Sequence, residues 1–107
     1  MNKRILKKKG LSKIDKEELW KLDYTLARYI YPRLVAFKNM ERIGYPTCFE
    51  TPEEWEEILD KMIWSFEKIA KDNWILDYSN MDNVLKEREK FDEGLMLFGK
   101  YFANLWD

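Results

Sequence analysis

The side chains best spaced for chemistry are carboxylates. Glu53 and Glu56, Glu54 and Glu57, and Glu57 and Asp60 each stand three residues apart. Glu89 with Asp92 and Glu89 with Glu93 repeat the pattern further along. On helices such steps put both carboxyls on one face, and two facing pairs would offer Mg²⁺ the hard oxygen ligands it prefers. Against this, Glu54 and Glu57 fall at a helix start, where acids complement the dipole and stay solvated. Glu89 projects away from the apolar stripe of its own helix. Histidine is absent, which removes the commonest zinc ligand and general base. Cys48 is the single cysteine and has no basic partner to activate it. No glycine-rich phosphate loop occurs. The expectation is a non-enzyme without metal or cofactor.

Cations cluster before the first acid. Lys3, Arg4, Lys7, Lys8, Lys9 and Lys13 precede Asp15, and residues 1–42 carry +7 against −8 for the remainder, within a net charge of −1. A basic arm gains affinity for nucleic acid by releasing counterions from phosphate, without sequence preference. A solubilising tail is the plainer account, since the acidic remainder repels a duplex. Unlike-charged halves also favour a symmetric homodimer.

The elements that must position these groups are helices. A chain of 107 residues with 17 aromatics can bury a core and is not disordered. One cysteine excludes a disulfide scaffold, and no run of 18 apolar residues spans a membrane. Residues 1–14 read as the arm and 15–107 as one helical domain. Asp15 and Glu18 have capping-box spacing, opening a helix whose stripe is Leu19, Leu22, Leu26, Ile30, Leu34 and Phe37, kinked at Pro32. Thr51-Pro52-Glu53-Glu54 is the strongest helix start, followed by Trp55, Ile58, Leu59, Met62, Phe66 and Ile69. Ser79 is expected to cap the last helix, which carries Val84, Arg88, Phe91, Leu95, Phe98, Phe102 and Leu105 at steps of four and three. Three helices with short connections imply an all-α fold, an antiparallel three-helix bundle with a Pro-kinked first helix and a basic N-terminal arm.

Helical wheels leave some groups over. Trp64 falls about 180° from the buried face of the second helix, and Leu97 with Tyr101 turn away from the stripe of the third. Exposed rings among charges are the composition of an interface anchor. Trp20, Tyr24 and Tyr31 form a second stripe on the first helix, either packing face or docking face. Asp23 and Arg88 sit near the same end of the bundle and are expected to pair.

Several phrases carry a resemblance. They are Leu19-Trp20-Lys21-Leu22-Asp23-Tyr24-Thr25-Leu26-Ala27, Tyr31-Pro32-Arg33-Leu34, Gly44-Tyr45-Pro46, Glu54-Trp55 with Ile58-Leu59-Asp60-Lys61-Met62-Ile63, and Glu93-Gly94-Leu95 with Leu97-Phe98-Gly99-Lys100-Tyr101-Phe102. Together they resemble small all-α proteins encoded by bacteriophages and prophages. The resemblance implies an accessory protein of the host-cell cytoplasm that binds a host or phage macromolecule, such as a host defence or replication factor. The carboxylate spacing is also similar to that of all-α nucleoside triphosphate pyrophosphohydrolases, which implies Mg-dependent nucleotide hydrolysis. Three readings therefore stand: protein docking through Trp64, Leu97, Tyr101, Trp20, Tyr24 and Tyr31, nucleic-acid binding through the arm, and hydrolysis. Docking is the expectation.

Overall fold

The computed structural model describes residues 14–41, 44–72 and 80–106. The basic arm up to Lys13, the 73–79 connection and Ser79 lie outside the described residues. Among those described, all regular structure is helical: α1 (Lys16–Trp20), α2 (Leu22–Asn39), α3 (Pro52–Lys71), α4 (Met81–Lys100) and a 3₁₀ turn (Phe102–Asn104). No described helix is long and apolar enough to cross a membrane.

Local chemistry sets each boundary. The Glu18 carboxylate accepts the Asp15 N–H at 3.0 Å, as the capping-box spacing predicts. The first helix does not run on unbroken, however: Lys21 leaves helical geometry at φ −118, ψ 61 and separates α1 from α2. Pro32 lies inside α2 without ending it. At the start of α3, Thr51 Oγ1 accepts the Glu54 N–H at 3.3 Å and Pro52 takes the first helical position, where its missing donor costs nothing. Asp72 ends α3 in the left-handed region at φ 50. The cap of α4 is Asn80, whose side chain accepts the Asn83 N–H at 3.3 Å.

α3 is the central helix. Lys38 pairs with Asp60, and the Tyr31 hydroxyl donates to Glu67 at 3.3 Å, so positions rise along α2 as they fall along α3. Lys61 bonds Glu93 at 2.9 Å, Ser65 donates to the Phe91 carbonyl at 2.9 Å, and Lys68 meets Glu87 at 3.5 Å, reversing direction again between α3 and α4. Among the described residues no Cα of α2 comes within 8 Å of a Cα of α4. On the inner face of α3, Trp55, Leu59, Met62 and Phe66 are buried as expected, Ile58 and Ile69 are half-buried, and Ser65, outside the expected stripe, is buried as well.

The flanking helices differ from expectation in rotation. On α2, Ala27 and Leu34 are buried with Ile30, Tyr31 and Phe37 packed beside them, while Leu19, Leu22 and Leu26 face outward. The packing face thus lies between the two expected stripes, taking Ile30, Leu34 and Phe37 from one and Ala27 and Tyr31 from the other. On α4 the inner residues are Glu87, Phe91, Gly94 and Leu97, a seam that shares Phe91 with the expected stripe of Val84, Arg88, Phe91, Leu95, Phe98, Phe102 and Leu105 but is turned from it by roughly 65°. The cause is Gly94. It has no side chain, so α4 approaches until the Gly94 backbone lies against Ser65 and the Lys61 carbonyl of α3.

Candidate functional site

Because α2 and α4 stand apart, a cavity of about 880 Å³ opens between them at the C-terminal end of α3. Its apolar lining comes from Ile69 and Ala70 of α3 and from Phe91 and Leu95 of α4. Its polar lining comes from Lys21, Asp23 and Tyr24 at the start of α2, Lys71 and Asp72 at the end of α3, and Arg88 of α4. Half of the lining residues are charged, so the cavity is more polar than the usual small-molecule cleft and suits a partner that brings charge of its own. A second cavity, about 430 Å³, lies at the other end of α3 between Tyr45, Pro46, Trp55 and Trp106.

The expected Asp23–Arg88 pair does not form, yet both residues line the same cavity. Arg88 Nε bonds Asp92 at 3.2 Å, one turn along α4, and Asp23 accepts the Tyr24 N–H at 2.8 Å. The separation of the α2 and α4 backbones is the reason: each group satisfies itself locally. Beside the cavity, the Tyr31 hydroxyl holds the Lys71 ammonium above its ordinary pKa, and the Glu67 carboxylate adds to that. Lys71 Nζ stands 3.7 Å from Glu67 and 5.4 Å from the Tyr31 ring centre. These three residues lock the rim on one side.

The aromatic anchors divide. Trp20 is 86% exposed, and Tyr24 is exposed on the cavity wall. Tyr31 is half-buried and engaged with Glu67, so it supports the rim. The other face fails as an exposed surface. Leu97 is only 7% exposed because the Gly94 approach rotates it inward. Tyr101 packs against Phe49 and Trp55 with ring centres 5.3 and 5.8 Å away, joining the end of α4 to the turn before α3. Trp64 is half-buried, with Lys68 and Lys90 ammoniums 4.8 and 4.3 Å from its ring centre. Its wheel position marks the edge of the α3–α4 contact, where cations from both helices cover it.

Four of the carboxylates singled out by their spacing are engaged with partners of their own. Asp60 is held by Lys38, Asp92 by Arg88, and Glu54 accepts the Glu50 N–H at 2.8 Å. Glu93 bonds Lys61, whose pKa that bond and the attendant charge raise above the ordinary lysine value. No group of three acidic or cysteine side chains among the described residues is arranged to hold a metal ion. Sequence reasoning missed Glu87, buried at the α3–α4 contact with Lys68 opposite. A charged residue at an inner position gives no apolar signal, though its spacing four before Phe91 could have raised it. The arm residues Lys3, Arg4, Lys7, Lys8, Lys9 and Lys13 lie outside the described residues. Comparison with protein-family models, with curated proteins and with solved structures found no match.

Proposed function

We propose that this is a non-catalytic protein that acts by docking on another protein through the cavity between α2 and α4. The carrying observation is the cavity itself: an apolar floor of Ile69, Ala70, Phe91 and Leu95, ringed by charges of both signs. Such a lining suits a partner segment with one bulky apolar side chain flanked by charged groups, because the apolar contact supplies affinity and the rim supplies orientation. Trp20, exposed immediately before Lys21 of the rim, is the anchor beside it. The architecture behind this reading is an antiparallel three-helix arrangement left open on one side. The resemblance to phage-encoded proteins adds the context: an accessory protein acting in the host cytoplasm on a host or phage factor, a defence or replication component being the target class.

The test is affinity capture from phage-infected cells, followed by reconstitution with the purified captured protein. Trp20→Ala is expected to weaken that complex by about 2 kcal/mol, the usual scale for an aromatic anchor, and Leu95→Glu to abolish it. A complex indifferent to both substitutions would place the interface elsewhere. Capture of nucleic acid with a steep salt dependence, lost on deleting residues 2–13, would favour the basic arm instead.

A further inference from the structure

α2 carries an apolar stripe that no other described element covers. Leu22, Leu26, Tyr29, Arg33 and Ala36 recur at steps of four and three, and at about 100° per residue they share one side of the helix. That side is turned away from Ala27 and Leu34, which meet α3. Leu22, Leu26 and Tyr29 are 46%, 49% and 61% exposed, and Leu19, before the break at Lys21, is exposed as well. Arg33 lies flat on Tyr29, its guanidinium carbon 3.6 Å from the ring centre, and donates to the Tyr29 carbonyl at 2.9 Å. The two side chains form one plate within the stripe.

We propose that this stripe pairs with the same stripe of a second copy, α2 against α2, antiparallel about a two-fold axis. Steps of four and three are the spacing by which one helix seats another. Charge then selects direction. Near the N-terminal end of the stripe Glu17, Glu18 and Asp23 outnumber Lys16 and Lys21, and Arg33 lies toward its C-terminal end. An antiparallel pair sets acid against base, whereas a parallel pair sets Arg33 beside its own copy. Opposed helix dipoles favour the same direction. In the register where Leu26 meets the second copy's Tyr29, Arg33 comes level with the second copy's Leu22 and Asp23, and symmetry makes each contact twice. The exposed side chains offer several hundred Å² per copy, below the roughly 800 Å² of a standard interface, so the dimer dissociates readily. Tyr24 lies about 200° around the helix from Leu26, so pairing draws on the cavity only at Asp23, which stands at its rim, and leaves the rest of the lining open.

Sedimentation equilibrium over a concentration series tests this on the full chain. The wild-type protein is expected to dimerise reversibly. Leu26→Glu is expected to raise the dimer Kd at least about tenfold, a loss of about 1.4 kcal/mol. Arg33→Asp and Asp23→Arg should each weaken the dimer, and together restore it to near wild type. Circular dichroism on every variant checks that helicity is kept; if Leu26→Glu loses it, Leu26→Ala takes its place. A protein monomeric to millimolar concentration overturns the proposal, as does a dimer indifferent to position 26 or a double charge reversal weaker than either single one. A monomer that still captures a partner through the cavity would overturn the dimer alone.

Discussion

Gly94 decides the distance between α3 and α4. A Cβ at that position would overlap the Ser65 hydroxyl and the Lys61 carbonyl, and neither the backbone nor the bonded serine can step aside. Gly94→Ala is therefore expected to destabilise the fold by about 2 kcal/mol, the usual cost of overfilling a packed contact. Gly99 is the control, a helical glycine with open space around its missing Cβ. There Gly99→Ala should be neutral or stabilising by up to ~1 kcal/mol. Urea unfolding of the two variants separates them, and equal midpoints would contradict the close contact. The same residue explains what the sequence concealed. Glycine has no hydropathy, so counting apolar positions on α4 selects Arg88, Leu95 and Phe102 as the seam and turns Leu97 and Tyr101 outward. The actual seam runs through Glu87 and Gly94, two residues without apolar signal. Tyr101 and Trp64 are then absorbed at its margins.

At the scale of elements, α3 and α2 differ in how plainly they state their orientation. α3 concentrates its apolar residues on one side and surrounds them with charge, so its cap, its end and most of its inner face follow from sequence. α2 has Leu22, Tyr24, Leu26, Ala27, Tyr29, Ile30, Tyr31, Leu34, Val35 and Phe37 distributed around its circumference. Helical spacing alone then fits two faces, and it is the small Ala27 beside Tyr31 that lets α2 lie against α3. The break at Lys21 is equally silent in the sequence, because lysine is a good helix former. Pro32 offers a check on α2. It removes a backbone donor from the interior of the helix, an arrangement that costs up to ~3 kcal/mol relative to alanine. Pro32 is exposed, so Pro32→Ala creates no clash. The variant should unfold at a higher temperature by differential scanning calorimetry. A lower midpoint would show that proline at this position is needed to seat Leu34 and Phe37.

For the whole molecule, the pattern of contacts sets the order of opening. The backbones of α2 and α4 each approach α3, but not each other, among the described residues. The backbone of α3 therefore stands between the outer helices, with Trp55, Leu59, Met62 and Phe66 buried at the centre. Amides of α3 should exchange slowest with deuterium, those of α2 and α4 faster, and those of α1 fastest, since α1 buries no residue. Mass spectrometry of exchanged peptides resolves this, and protection of α1 equal to that of α3 would contradict the arrangement. Overall charge follows a different logic. A net −1 hides a basic first part and an acidic second, which a charge count along the sequence shows but which leaves open where those charges meet a partner.

The turn that leads into α3 has a practical bearing on these measurements. Cys48 is the chain's single thiol, and it is exposed. It lies before the N-terminal end of α3, whereas the α2–α4 cavity opens at that helix's C-terminal end, about 30 Å away by the rise of 20 residues. A maleimide dye attached there marks the native sequence at one defined point without crowding the docking cleft, so fluorescence anisotropy can follow association in the unmutated protein.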